Sequence, residues 1–123
     1  SLKCALKGGY VVGGGKTFLN ASKTLSETTS TFGGNLLLEV LKEPCRQIVR
    51  AADNPDHIID TLMDSKLNEV YDIVNYEYVN GIEHGIIDAS LVLKSALINA
   101  CSLASTLLLT ECVIINQFIP DNV

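Results

Sequence analysis

The apolar residues in the first half of the chain fall into short runs with helical spacing, separated by polar residues, glycine and proline. The opening "SLKCALKGG" has the composition of a helix that stops at glycine. A helix is predicted over residues 16–25, and "SETTSTFGG" after it supplies loop-forming residues. The next run starts at Asn35 and ends before Pro44, because proline lacks an N–H group and disfavours helix in the preceding residue. We expect another helix from Pro44 and a further one that is capped by Asp53 or Asn54.

The second half of the chain changes pattern twice. Residues 69–79, "EVYDIVNYEYV", interleave β-branched and aromatic residues with acids and asparagine, which favours a short hairpin. "NGIEHGIID" is typical of a compact turn, and Ser90 after it is a candidate cap for a long apolar helix that ends near Leu109. Because nearly all faces of this helix are apolar or small, we expect other elements to bury it. With a terminal strand at residues 112–118, the prediction is a mainly α fold: a helical bundle with a small β-hairpin and a C-terminal strand.

The composition of the chain excludes some classes of binding partner. The chain has 123 residues, 47% hydrophobic and 19% charged, which is enough apolar material for one compact unit. Its net charge is −5 and its nine basic residues are scattered, so we expect neither a nucleic acid nor a membrane as partner. The four cysteines form no C-x-x-C pair, which favours reduced thiols in an intracellular protein, with Cys101 buried as a small hydrophobe.

The stretch "GGYVVGGGKT", residues 8–17, is close to a Walker A motif but misses it by one residue, since the position of the first glycine holds Tyr10. From the residues alone, it is either a phosphate-binding loop at a helix N-terminus or a glycine turn before a helix. Lys16 could contact phosphate or be a solvated lysine at the helix start, and the usual exposure of lysine favours the second interpretation. His57 and His84 have no nucleophile beside them in the sequence, so we expect surface positions rather than catalysis.

Three stretches together resemble the group I chaperonins, the GroEL type of bacteria, mitochondria and plastids. "GGYVVGGGKTFLNASKTL" is similar to the glycine-triplet segment of that family, and "EPCRQIV" to the helix after its middle loop. "GIIDASLVLKSALINACSLASTLLLTEC" is similar to its long C-terminal helix. The stretches occur in the same order with compatible spacing. The resemblance implies that residues 1–123 form the C-terminal part of the equatorial ATP-binding domain, and that the chain starts in mid-domain.

The resemblance also implies a set of nucleotide-binding residues. They are the glycine triplet, with its middle residue closest to the nucleotide, and residues around the adenosine: Gly13, Gly14, Gly15, Asp72, Ile73, Val74, Ile86 and Asp88. Asp88 would accept hydrogen bonds from ribose hydroxyls, although from the residues alone it could equally cap or complement the following helix. The hairpin "YDIVNYEY" departs from the family, with bulkier residues in place of small alanines and an aspartate for an amide, which would weaken that wall of the pocket.

For the complete protein, the family resemblance implies a ring chaperonin that hydrolyses ATP to assist protein folding. The cofactors would be ATP or ADP with Mg²⁺; the metal ligands and the catalytic aspartate would lie outside this chain, which alone is expected to be inactive. The partners would be other ring subunits, joined through residues 112–118, together with a co-chaperonin and unfolded proteins bound by other domains. The location would be the mitochondrial matrix, the plastid stroma or the bacterial cytoplasm.

Two alternatives stay open from the sequence. One is a helical interaction module, in which the glycines are only turns and the long helix is a docking surface. The other is a divergent chaperonin paralogue with weak or no nucleotide binding. In every case we expect the isolated chain to self-associate, because its long helix would expose an apolar patch larger than soluble monomers usually carry.

Overall fold

The computed structural model describes residues 2–110, in which helices alternate with two short antiparallel strand pairs. The elements in chain order are α1 (Leu2–Gly8), β1 (Tyr10–Val12), α2 (Lys16–Ser26), α3 (Phe32–Val40), α4 (Glu43–Val49), α5 (Pro55–Met63), β2 (Glu69–Asp72), β3 (Glu77–Asn80), β4 (Ile87–Ala89) and α6 (Ser90–Leu109). The predicted mainly helical class is confirmed. The predicted strand at residues 112–118 lies outside the described residues.

The helix starts follow from local chemistry. Pro44 lies in the first turn of α4, where its missing N–H group has no helical partner to lose. Of the two predicted caps of α5, Asn54 does the capping, since its side chain accepts a hydrogen bond from the backbone N–H of His57 at 3.2 Å. α3 begins three residues earlier than predicted, at Phe32, because the Thr31 hydroxyl accepts from the Gly34 N–H at 3.0 Å.

The predicted hairpin is confirmed as the β2–β3 pair, in which Val70 lies opposite Val79 and Tyr71 opposite Tyr78. The two tyrosine rings meet edge to face, with centroids 5.1 Å apart. The turn contains no glycine, and Tyr76 takes its left-handed backbone position with φ of 55°. The aspartate at the end of β2 compensates by accepting hydrogen bonds across the turn.

The second strand pair, β1 with β4, was not predicted from the sequence. Val11 lies opposite Asp88 and Val12 opposite Ile87. Each strand has three residues, too few to show an alternating pattern, and the two are far apart along the chain. The pair brings the glycine triplet, which follows β1, next to the turn that precedes β4.

Two clusters of buried side chains form the interior. The helical core unites residues of α2, α4 and α5: Leu19, Cys45, Val49, Ile58, Ile59 and Leu62. The strand core consists of Val12, Val70 and Val79, with Ile82 and Ile86 packed against them. The glycine triplet lies between these two clusters, because it connects Val12 to α2.

The long helix α6 contradicts two of the expectations. None of its residues is buried within the described part of the chain, and Cys101 is exposed rather than buried. Its most extensive contacts are with α1 and β4, and a cavity of about 420 Å³ separates Ala96 and Ala100 from Phe18 and Leu41. Ser90 does not cap it; Ala89 is the N-cap residue, and the Ser90 hydroxyl donates to the carbonyl of Gly8 at 2.6 Å instead. By length and composition α6 could also cross a membrane, a property it shares with the core helix of a larger protein.

Candidate functional site

The glycine triplet is held at both ends by neighbouring backbone. The Gly13 N–H donates to the Ile86 carbonyl at 2.8 Å, and a Cβ at this position would come within 3.2 Å of that same carbonyl group. Gly15, the N-cap residue of α2, has φ of 76° and faces α4 so closely that a Cβ would lie 2.6 Å from the Cα of Cys45. Packing alone therefore requires glycine at residue 15, whereas a Cβ at residue 13 would force its neighbours to shift by a few tenths of an ångström.

The middle residue, Gly14, is constrained differently. Its φ of 64° is left-handed, but a Cβ would meet only ordinary contacts, 3.6 Å from the Val70 Cβ and 3.8 Å from Cγ2 of Ile86. Among residues 2–110, neither its N–H nor its carbonyl takes part in a hydrogen bond. The loop thus offers a free N–H and a free carbonyl at its centre, next to the N-terminus of α2, where the helix dipole favours an anion.

Asp88 and Ile86 are brought to this loop by the β1–β4 pair. Asp88 lies opposite Val11, and Ile86 bonds to Gly13 through its carbonyl. The Asp88 side chain makes no hydrogen bond to another residue of the described part, and α6 has no side-chain cap bond. Hydrogen-bonded capping of α6 by Asp88 is thereby removed, whereas its charge still lies where it can complement the dipole of that helix.

The hairpin residues Asp72, Ile73 and Val74 lie beyond Val70 on β2 and in the turn, away from the Val70 contact with Gly14. The Asp72 carboxylate accepts from the Val74 N–H at 2.9 Å and from the Asn75 side-chain amide at 2.7 Å. The hydrogen bond from Asn75 is the largest cause of the lowered pKa of Asp72, followed by the bond from Val74. Asp72 therefore shapes the turn, whereas Val74 is 80% exposed at its tip.

Lys16 corrects the sequence analysis most clearly. It was expected to be solvated, yet only 1% of it is exposed. Its Nζ donates to the Leu62 carbonyl and, at 2.8 Å, to the hydroxyl of Ser65. Burial is the main cause of the lowered pKa of Lys16, opposed by the charge of Glu69. The amine is thus committed to the end of α5 and does not point to phosphate.

The surface around the glycine triplet is an open wall. Two cavities of about 350 and 340 Å³ border the hairpin, lined by residues that include Asn68 in both, and neither contains a predicted site residue. Within residues 2–110 no group of three or more His, Cys, Asp or Glu side chains is placed to hold a metal ion. His57 and His84 are exposed, as expected.

The comparisons with known proteins agree with this geometry. No protein-family model matches the chain. Among solved structures, it is similar to a group III chaperonin in the open state, with a TM-score of 0.79 and 26% sequence identity over 90% of the chain. The chain spans about a quarter, 25%, of the length of that chaperonin. The chain therefore has the fold of a chaperonin segment, and the similarity does not extend to the group I assignment.

Proposed function

We propose that the complete protein is an ATP-dependent ring chaperonin and that this chain supplies one wall of its nucleotide pocket. The observation that carries the proposal is Gly14, whose N–H and carbonyl make no hydrogen bond within residues 2–110 and which is held between two tightly packed glycines at the start of a helix. Backbone can approach a phosphate or ribose closely only where no side chain intervenes. Asp88, with its unbonded carboxylate on the neighbouring strand, suits the ribose hydroxyls.

ATP or ADP would bring Mg²⁺, whose ligands, like the other wall of the pocket, belong to parts of the protein outside this chain. Ile86 contacts the glycine loop and would flank the nucleotide, while Asp72, Ile73 and Val74 would contact adenine only from the hairpin turn. Because Asp72 is engaged in that turn, it adds negative charge near the ligand without offering a free donor. We therefore expect weaker nucleotide binding than a hairpin with small residues would allow.

The group I assignment and the location in a mitochondrion, a plastid or the bacterial cytoplasm rest on the motif resemblance. Contact with other ring subunits through residues 112–118, and with a co-chaperonin and unfolded proteins through other domains, has the same basis. The exposed α6 favours a larger assembly, since a protein as long as the similar chaperonin, about four times this chain, would supply further surfaces to cover it.

A second candidate is a chaperonin paralogue that keeps the architecture but not the nucleotide. The turn-bound Asp72, which replaces an amide of the family, and the exposed Val74, which replaces a small alanine, both favour it. A helical interaction module is the third candidate, favoured by the apolar surface of α6.

The test is nucleotide binding and ATP hydrolysis by the complete protein, with Gly14→Val and Asp88→Ala beside the wild type. We expect both variants to stay folded and to lose at least about tenfold in affinity, equal to about 1.4 kcal/mol. Glu83→Ala is the matched control, since it removes an exposed carboxylate from the same turn region. If the wild type binds no nucleotide, the proposal is wrong and the chaperonin paralogue and the interaction module are the remaining candidates.

A further inference from the structure

Successive residues fasten the glycine loop to different elements. Gly13 is bonded to the residue before β4, Gly15 is packed on α4, and Lys16 is bonded to the end of α5. Gly14 between them makes no hydrogen bond within residues 2–110. The backbone conformation of Gly14 is therefore set by the neighbouring residues. Of these neighbours, Lys16 is the one that acts through a long side chain.

The amine of Lys16 completes a closed set of polar atoms. It donates to both the Leu62 carbonyl and the Ser65 hydroxyl, and the same hydroxyl donates to the Leu62 carbonyl at 2.8 Å. Leu62 is fully buried. Loss of the amine would take one hydrogen bond from the Leu62 carbonyl, which would keep those from the Ser65 hydroxyl and, at 3.3 Å, from the Ser65 N–H. The link between α2 and the end of α5 would then be lost while the end of α5 itself stays hydrogen-bonded.

The placement is also favourable for the charge. The last carbonyls of a helix carry the negative end of its dipole, and α5 has no basic residue of its own in its last turn. Lys16 supplies that cation from another helix. The neighbouring charge of Glu69 acts in the same direction, against the desolvation that lowers the pKa of Lys16.

We propose that Lys16 is a positioning residue, whose buried amine ties the first turn of α2 to the end of α5 and thereby fixes the shape of the glycine loop for nucleotide. The effect on nucleotide binding rests on the proposed function. The structural part, the link between α2 and α5, does not.

The experiment measures amide hydrogen exchange around the loop and nucleotide affinity in the complete protein. Lys16→Met keeps the length of the side chain and removes its donors, and Lys23→Met, at an exposed position of the same helix, is the matched control for lost charge. Ser65→Ala removes one acceptor while keeping the lysine, which covers the case that Lys16→Met does not fold. The amides of Val70 and Val79, in the strand core, report whether exchange rises everywhere or only at the loop.

We expect exchange of the amides of residues 14–18 to rise about tenfold in Lys16→Met, and nucleotide affinity to fall about tenfold, equal to about 1.4 kcal/mol. Ser65→Ala should give a smaller change in the same direction, and Lys23→Met none. Loop exchange that is equal in Lys16→Met and Lys23→Met would overturn the inference, as would a rise that the strand core shares. If the wild type binds no nucleotide, the proposed function fails, and the exchange data alone decide whether Lys16 positions the loop.

Discussion

The helices α2 and α6 both follow a short strand directly or through the glycine triplet, yet their surroundings are opposite. α2 contacts α3, α4, α5 and β1, and buries Leu19 together with the polar Lys16 and Ser22. α6 is the more apolar helix and buries none of its residues within the described part of the chain. The difference shows that residues 2–110 contain a small core around α2, whereas the same residues supply no surface that buries α6.

The polar residues buried on α2 make the same point. The Ser22 hydroxyl donates to the Leu38 carbonyl at 2.9 Å, and Lys16 is satisfied by α5. In the described residues, no buried side-chain nitrogen or oxygen lacks a partner. A polar residue can be buried in a core when hydrogen-bond acceptors are present there, and an apolar residue remains exposed when no surface packs against it.

The largest expected effect is the loss of stability in Gly15→Ala, which tests the packing around α2. A Cβ there would lie 2.6 Å from the Cα of Cys45, so backbone has to move, and we expect the free energy of unfolding to fall by about 3 kcal/mol or more. Gly85→Ala is the control, because its φ of 72° is similar but nothing lies within 4 Å; only left-handed strain of about 1 kcal/mol is expected. Denaturant unfolding compares the two, and equal losses would contradict the packing argument.

A smaller effect is the pH dependence that Lys16 adds to stability. Its pKa in the folded chain is lowered from 10.5, so between these two values the unfolded chain binds more protons. The free energy of unfolding of the wild type should therefore rise relative to Lys16→Met as pH increases toward 10.5, by at most about 1.4 kcal/mol per pH unit.

Three charged or titratable groups act on the same amine, namely Glu69, Lys23 and Cys45. Burial raises the pKa of the Cys45 thiol to about 11, which makes stability fall with rising pH over the range above its ordinary value. Because the charge of Lys16 lowers the pKa of this thiol, the fall is larger in Lys16→Met and adds to the expected rise of the wild type relative to the variant, in the same direction. A difference that is flat from pH 8 to the alkaline limit, or that falls, would show that burial of the amine is wrongly assigned.

A substitution in the hairpin turn should raise the free energy of unfolding by a similar or smaller amount. Tyr76 is left-handed without being glycine, so Tyr76→Gly should relieve strain and raise the free energy of unfolding by up to about 1 kcal/mol. Glu77→Gly at the start of β3 serves as the control and should lower it, because glycine weakens a strand. Thermal unfolding of the three proteins measures both signs; a destabilised Tyr76→Gly would mean that the exposed ring contributes more than the strain costs.

The smallest effect on stability is expected in α6. Leu107 is 57% exposed, so Leu107→Gln in the isolated 123-residue chain should change the free energy of unfolding by less than about 0.5 kcal/mol. It should reduce self-association, which sedimentation at high protein concentration measures. Val49→Gln, in the helical core, is the contrast and should unfold the chain. A wild-type chain that sediments as a monomer at high concentration would contradict the expected self-association.

The sequence predicted most of the helices and the hairpin, because those signals are local. Proline at residue 44, the asparagine cap of α5 and the alternation in residues 69–79 act within a few positions of themselves. The glycine triplet was also identified as the candidate site from sequence, and the structure brings Gly13 and Gly14 next to Ile86 and, through the strand pair, near Asp88. Their role toward a nucleotide stays a prediction.

Composition and pattern by themselves thus determined a mainly helical chain with a hairpin and a glycine-rich helix start. Only the tertiary structure decided that Lys16 is buried, that β1 pairs with β4, that Ser90 bonds to the end of α1, and that residues 2–110 bury no residue of α6. The physical reason is range. Helix and turn propensities depend on neighbouring residues, whereas the burial of an amine or the pairing of two short strands depends on which distant acceptors and edges the fold brings together.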